Sequence, residues 1–194
     1  MNLKPPTRKD EIIKTAAKLF KEKGYSAVTM RDLASEMGIK AASLYNHIKS
    51  KQEILKEIII SLAEEFTKGL QDIQKSNLSN IEKLQEIVKL HVSITSQNTY
   101  GMASLNNDWM HLEDNRDYYL KLRYNYENEF RNIIVKGIKN NEIISENEDV
   151  MLFSILSTLR SLYLWIPKKE DLDPEELSRQ LSQVLINGIN KKIN

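Results

Sequence analysis

Side chains able to carry chemistry are sparse in this chain of 194 residues. It has 3 histidines, His47, His91 and His111, and no cysteine. Thiolate nucleophiles, disulfides and Cys-based zinc or iron–sulfur sites are thereby excluded. His111 stands close in sequence to Asp108, Glu113 and Asp114, which are metal-ligating residue types. Asp108 and His111 share a helical face, but no second histidine stands at ligand spacing, so the group reads as an acidic surface cap. Serine and aspartate are plentiful, yet no histidine has a nucleophile motif beside it. There is no glycine-rich phosphate loop and no paired-carboxylate signature. The chain is therefore expected to be no enzyme, to hold no metal and to need no cofactor. Its chemistry should be that of binding.

Charge indicates what is bound. Lys and Arg number 28 and Asp and Glu 27, a formal net charge of +1. Residues 1–56 hold 12 basic and 6 acidic side chains, a net of +6, and residues 57–194 hold 16 and 21, a net of −5. A basic end on a near-neutral chain is the electrostatic footprint of a nucleic-acid partner. The composition, 41% hydrophobic with 6 Gly and 4 Pro, is that of a globular protein and excludes collagen and wholesale disorder. So few turn residues also speak against an all-β sandwich. The segment Met1-Asn2-Leu3-Lys4-Pro5-Pro6 has no apolar signal core, and no stretch is expected to reach the roughly 18 apolar residues that cross a bilayer. A soluble, cytoplasmic protein is expected, with no membrane partner.

The elements that must position such a binding face are helical. Thr7 to about Lys23 carries Ile12, Ala16, Leu19 and Phe20 on one face and ends at Gly24. Thr29-Met30-Arg31-Asp32 opens a second helix whose buried stripe is Met30, Leu33, Ala34 and Met37. Gly38-Ile39-Lys40 is a turn, followed by a short helix from Ala41 to about Ile48. Ser50-Lys51-Gln52-Glu53 caps a helix to about Gln74, and Ser79-Asn80-Ile81-Glu82 caps one running through Leu84, Ile87, Val88, His91 and Ile94. A break at Gln97–Gly101 precedes a short helix, Met102–Glu113, and a long one from Asn115 to Lys139. Ser145-Glu146-Asn147-Glu148 starts an apolar helix, Val150–Ile166, stopped by Pro167. Asp173-Pro174 opens the last, to about Lys192. The fold expected is all-α, with nine helices in two domains. Residues 1–50 are expected to form a small basic three-helix unit and residues 51–194 a larger helical bundle.

Ala34, Gly38 and Leu44 fall at helix-turn-helix spacing. The small Ala admits close helix approach, Gly takes the turn, and Leu anchors the recognition helix so that its outer face can enter a major groove. Around them stand Ile12-Ile13, Ala16-Ala17, Leu19-Phe20, Gly24-Tyr25, Val28-Thr29-Met30, Leu33-Ala34, Met37-Gly38-Ile39, Ala42-Ser43-Leu44-Tyr45, His47-Ile48, Ser50-Lys51 and Ile54-Leu55. Together they closely resemble the N-terminal domain of the TetR family of transcriptional regulators. Ile48 departs from the family, which usually has Phe there.

The resemblance implies a homodimer with an N-terminal DNA-binding domain and a C-terminal domain that binds an inducing ligand. Carried onto matching positions, it makes Thr29 a phosphate binder. Lys40, Ala41, Ala42, Ser43 and Asn46 are placed to meet base edges or phosphates. Tyr45 and His47 form a phosphate-contacting aromatic pair, and Lys51 lies beside the DNA backbone. Ala41 and Ala42 offer only methyl contacts, so phosphate contacts and DNA shape should carry much of the affinity.

The C-terminal half is similar to a TetR subgroup of fatty-acid and sterol breakdown repressors that respond to acyl-CoA thioesters. The matching residues are Trp109-Met110, His111-Leu112-Glu113, Leu122-Arg123, Tyr126, Phe130-Arg131, Ile134, Gly137-Ile138, Tyr163, Trp165, Pro167 and Pro174-Glu175-Glu176-Leu177. The chain has Arg160-Ser161 where the subgroup commonly has Asn-Trp, and Ile166 where it has Tyr. Tyr100, Met102, Leu105 and Trp109 are expected to face Tyr126, Phe130, Phe153, Leu156 and Trp165 around an apolar effector, an acyl-CoA or another apolar molecule. Arg123 and Arg160 are the cations available to an anionic ligand. Arg160 either holds such a group or pairs with an acidic residue across the dimer, the second being preferred.

The last two helices, 150–166 and 174–192, are apolar on broad faces, and the resemblance makes them the homodimer interface. A two-fold dimer would set two recognition helices about 34–36 Å apart or somewhat more, in successive major grooves. The function expected is a homodimeric repressor released from operator DNA by its effector. A transcriptional activator and a signalling or adaptor bundle that does not bind DNA are the alternatives.

Overall fold

The computed structural model describes residues 5, 7–169 and 171–188. Among these are nine α-helices: α1 (Arg8–Lys23), α2 (Met30–Glu36), α3 (Ala41–Tyr45), α4 (Lys51–Lys75), α5 (Asn80–Gln97), α6 (Thr99–Asn107), α7 (Arg116–Lys139), α8 (Glu148–Trp165) and α9 (Pro174–Leu185). Single 3-10 turns lie at Trp109–His111, Glu113–Asn115 and Ile166–Lys168. The all-α fold with nine helices is as the sequence implied.

The starts of these helices follow from cap chemistry. Thr7, Thr29 and Ser79 each accept from the N–H three residues on, and the side chains of Asp10, Asp32 and Glu82 accept in return from the cap backbone. Each reciprocal pair satisfies two donors that a helix start otherwise leaves unmet. α8 begins from Asn147 rather than Ser145, because the Asn147 side-chain oxygen Oδ1 accepts from the N–H groups of both Asp149 and Val150 at 3.0 Å.

Three further differences from expectation have local causes. α3 ends at Tyr45 because Asn46 and His47 donate to the carbonyls three residues back, at 3.3 and 3.0 Å, tightening the last turn. The break after α5 narrows to Asn98, since the Thr99 hydroxyl donates to the Thr95 carbonyl at 3.0 Å and so permits an immediate restart. α9 ends at Leu185 and residues 186–188 form a turn, short of the expected helix to about Lys192, whose residues 189–192 lie outside the described residues.

Packing divides the chain into two compact units, Met1–Ala63 with Tyr100–Tyr119, and Glu64–Thr99 with Leu120–Asn194. In the first, Ile12, Leu19 and Phe20 of α1 are buried, as are Leu33 and Ala34 of α2, Leu44 of α3 and Ile54 and Leu55 of α4. Each large apolar side chain of this kind contributes about 1.5–3 kcal/mol on burial. In the second, α5 packs against α8 and α9. Its face Leu84, Ile87, Val88, His91, Val92 and Thr95 is buried. The start of α5 is held by Glu142, whose carboxylate accepts from the Asn80 N–H at 2.7 Å and the Asn80 amide at 2.9 Å.

Glu148–Lys168 is long and apolar enough, by length and composition, to cross a membrane, which corrects the expectation that no stretch would be. Ser154, Ser157, Thr158 and Ser161 interrupt the apolar run without outweighing it. The apolarity has two sources on α8. Leu152, Ile155, Leu156, Leu159 and Leu162 are buried in the second unit, while Val150, Phe153, Leu164 and Trp165 are exposed.

Candidate functional site

The turn between α2 and α3 is built around three residues. Ala34 and Leu44 are buried at 2% and 0% exposure. Gly38 has φ +63°, the left-handed region that favours glycine, and its neighbour's N–H at Ile39 reaches back to the Ala34 carbonyl at 3.0 Å. With Leu44 and Ile48 pointing into the core, the rest of α3 and its flanks face outward. Lys40, Ala42, Ser43, Tyr45, Asn46 and His47 are exposed and Ala41 is half-buried. Tyr45 is 52% exposed, so it is no core tyrosine. Every residue expected at DNA between Lys40 and His47 is thus exposed or, for Ala41, half-buried. Thr29 is exposed too, with its hydroxyl donating to Asp32 at 2.6 Å. Hydrogen bonds from the Thr29 hydroxyl and N–H hold the Asp32 carboxyl below its usual range.

Lys51, expected beside the DNA backbone, is bonded within its own chain. Its ammonium donates to the carbonyls of Tyr25 at 2.9 Å and Val28 at 2.8 Å, with Ser26 at 3.4 Å, and lies 4.3 Å from the centre of the Tyr25 ring. The connection between α1 and α2 leaves these carbonyls converging, and a cation is the group that satisfies several at once. Lys51 therefore fixes the segment that sets Thr29 and the start of α2.

Two further rings pack against Tyr25. Phe20 meets it edge-on at 5.1 Å and His111 stacks on it at 5.2 Å. Burial, with Glu113 and Asp108 adding to it, pushes the Tyr25 hydroxyl up to about 12. Gln52 of α4 donates to the His111 carbonyl at 2.9 Å and to Glu113 at 2.8 Å, and Glu113 has φ +45°. With His111 on Tyr25 and Glu113 on Gln52, the acidic group around His111 does not converge on a metal position, and no metal-holding cluster occurs among the described residues.

The residues expected around an effector fall into both compact units. In the first, Met102 is buried, Leu105 and Trp109 are half-buried, and Tyr100 is exposed beneath the Lys21 ammonium, 5.1 Å from the ring centre. Trp109 lies 5.9 Å from the Tyr119 ring. In the second, Tyr126, Phe130 and Leu156 are buried. Phe153 and Trp165, 72% and 43% exposed, do not join that buried set. They lie on α8 at positions that the apolar face of the sequence did not separate from its core face.

Arg160, expected to hold an anionic group or to pair across a dimer, is ion-paired within its own chain. Its guanidinium donates to Glu127 at 2.6 Å, and Arg123 donates to the same carboxylate at 3.2 Å. Burial would raise the Glu127 carboxyl, but the bonds and charges of Arg160 and Arg123 outweigh it and hold it low. These residues line an open groove of about 500 Å³ with Arg131, Asp149 and Phe153.

Two residues to which the sequence assigned no site role, His91 and Phe66, gather with Tyr126 in the core. The His91 ring lies 4.6 Å from Phe66, and its Nε2 is 2.8 Å from the Tyr126 hydroxyl. A lone histidine at a core position of an amphipathic helix is the signal that points to it.

A trihelical unit presenting one exposed helix face, in a chain whose other elements among the described residues are also helices, is the arrangement of a helix-turn-helix regulator of transcription. The chain matches the model of "Tetracyclin repressor-like, C-terminal domain" over residues 77–189 and that of "Bacterial regulatory proteins, tetR family" over residues 12–58. It belongs to the TetR family, a non-enzymatic class. It is similar to the HTH-type transcriptional repressor KstR2 of Rhodococcus jostii (strain RHA1), 23% identical over 185 residues that cover 94% of this chain and 91% of that one. Its fold matches the ketosteroid transcriptional regulator KstR2 of Mycobacterium tuberculosis with a TM-score of 0.91, at 21% identity over 97% of this chain and 98% of that one. It also matches AibR in complex with isovaleryl coenzyme A and operator DNA, with a TM-score of 0.76 at 19% identity over 93% and 98%.

Proposed function

We propose that this protein is a cytoplasmic, homodimeric repressor that binds operator DNA through α3 and leaves it when a small apolar or acyl-CoA-type effector binds its C-terminal part. The observation that carries the DNA-binding part is the outward surface of Lys40, Ala42, Ser43, Tyr45, Asn46 and His47, set over the buried anchor Leu44. It lies in the portion of the chain with net charge +6, 12 basic less 6 acidic. Lys40 and Asn46 read base edges, while Thr29, Tyr45 and His47 contact phosphates. Lys51 acts by positioning rather than by touching DNA.

A second copy of the chain is the occupant proposed for the exposed apolar side chains of α8 and α9, Val150, Phe153, Leu164, Trp165 and Val184. An apolar surface of this extent on two helices is what a two-fold dimer covers. AibR, with the same fold, has been captured with isovaleryl coenzyme A and with operator DNA, which supports an acyl-CoA-type effector here. Release is then a population shift, in which the effector favours the state that binds DNA poorly.

Fluorescence anisotropy with duplex DNA from the upstream region of the protein's own gene tests the DNA-binding part. Log affinity should fall linearly with log salt. Salt-independent or absent binding would favour an adaptor role. For the dimer, light scattering at micromolar concentration should give twice the 22.6 kDa chain mass. Phe153→Glu should return a folded monomer.

A further inference from the structure

Inside the second unit, α4, α5 and α7 bring Phe66, His91 and Tyr126 together, the His91 ring 4.6 Å from Phe66 and 5.8 Å from Tyr126. Thr95 follows His91 by one helical turn, on the same buried face of α5. Among the described residues, neither Nδ1 of His91 nor Oγ1 of Thr95 has a hydrogen-bond partner, although His91 is 3% exposed and Thr95 0%. Protein cores avoid unmet polar atoms because each is destabilising. Valine would fill the Thr95 position with the same shape and no unmet hydroxyl, so packing alone does not call for a threonine.

The shared bond between His91 and Tyr126 fixes what is on offer. If the Tyr126 hydroxyl donates to Nε2, one unmet group remains on the pair, the His91 Nδ1–H donor. If Nε2–H donates instead, both the Tyr126 hydroxyl proton and the Nδ1 lone pair are left unmet. The first arrangement leaves fewer groups unmet, and it presents two donors about one turn apart, Nδ1–H and the Thr95 hydroxyl. Burial pushes the His91 imidazole down to about 3, with Arg160 adding to it, so the ring is neutral and supplies a dipole rather than a charge.

We propose that His91 and Thr95 are the polar recognition pair of the effector site and that they donate to one uncharged carbonyl oxygen of an otherwise apolar ligand, a ketone, ester or thioester. A carbonyl oxygen has two lone pairs, enough for both donors. A neutral carbonyl is favoured over a carboxylate, because His91 and Thr95 offer two uncharged donors in a buried setting and Arg160 is already paired with Glu127. The inference rests on the reading that the protein answers to an effector, and it adds which group of that effector is read.

Decanoyl-CoA and S-decyl-CoA, which differ at the thioester carbonyl, are the probes for isothermal titration calorimetry on the full chain. The wild type should bind the thioester about 10-fold more tightly than the thioether, as expected for one or two neutral hydrogen bonds. Thr95→Val should reduce that preference by about 3-fold or more and leave thioether affinity unchanged. It should also raise the thermal unfolding midpoint, a combination that a purely structural threonine would not give. His91→Gln, which retains a group able to reach Tyr126, should likewise lose preference for the thioester. Equal affinity for the two probes, failure to bind either, or a preference untouched by both substitutions would overturn the inference. Duplex binding measured on the same preparations separates the readings, since its absence would sink the regulator itself.

Discussion

The Lys51 ammonium and Tyr25 meet twice, once at the Tyr25 carbonyl oxygen at 2.9 Å and once over the face of its ring at 4.3 Å. A lysine expected on DNA is thereby enclosed by its own chain. Replacing Lys51 by Met keeps the aliphatic stem but leaves the carbonyls of Tyr25 and Val28 unmet, a loss of about 1–3 kcal/mol. Chemical denaturation should report that loss. Operator affinity should fall as well, yet the slope of log affinity against log salt should stay at its wild-type value. A phosphate-contacting lysine would lower that slope by about 1 on removal.

Tyr45 should behave in the opposite way. Its side chain is half exposed, so Tyr45→Ala should leave the unfolding midpoint within about 0.5 kcal/mol of wild type. Operator affinity should drop by a similar factor on matched and mismatched sequences, because phosphate contacts carry no base information. Anisotropy titrations with both duplexes decide it, and a loss confined to the matched sequence would make Tyr45 a base reader.

His91 gives stability a pH dependence of known sign. Its folded-state value, about 3, lies below the ordinary 6.5. The unfolded state therefore binds the proton more readily, and the contribution of neutral His91 is fully present above pH 6.5 and is lost as pH falls toward 3. Over that window it should amount to about 1.4 kcal/mol per pH unit. Carboxylates titrate in both proteins, so the difference between wild type and His91→Gln isolates it. Denaturant melts at pH 7.5, 6 and 5 should show the wild type losing more stability than the variant at each step.

Gly137 of α7 is pressed against the chain that follows. A β-carbon there would lie 2.5 Å from Cδ1 and 2.9 Å from Cγ1 of Ile143, and 3.2 Å from the Asn80 β-carbon. Gly137→Ala should cost about 1–3 kcal/mol by overpacking. Combining it with Ile143→Val should recover part of that loss in the same denaturation assay.

The readable parts of this molecule were those whose physics is local. Thr7, Thr29 and Ser79 announce helix starts because a cap needs one hydroxyl and one carboxylate three residues apart. Ala34, Gly38 and Leu44 announce the turn because size and left-handed backbone are properties of single residues. The contacts of Lys51 were hidden for the complementary reason. A lysine at a helix start looks alike whether it faces phosphate or three carbonyls some 25 positions earlier, and only the fold brings those carbonyls near. Arg160 posed the same difficulty, since its carboxylate stands on another helix. The periodicity of α8 marked an apolar helix but could not divide its buried side from the side carrying Phe153 and Trp165. His91 was visible as a histidine in a core register, while its use depends on Phe66 and Tyr126 arriving from two other helices.

The shared carboxylate of Glu127 constrains the order in which this cluster can change over generations. Arg123 can be lost first, because Glu127 and Arg160 still neutralise each other across α7 and α8. Arg160 can also go while Arg123 remains to hold the carboxylate. Losing Glu127 before either would strand two half-buried cations side by side, an arrangement a chain cannot pass through cheaply. Descendants of this sequence should therefore shed arginines from the groove before they shed its acid.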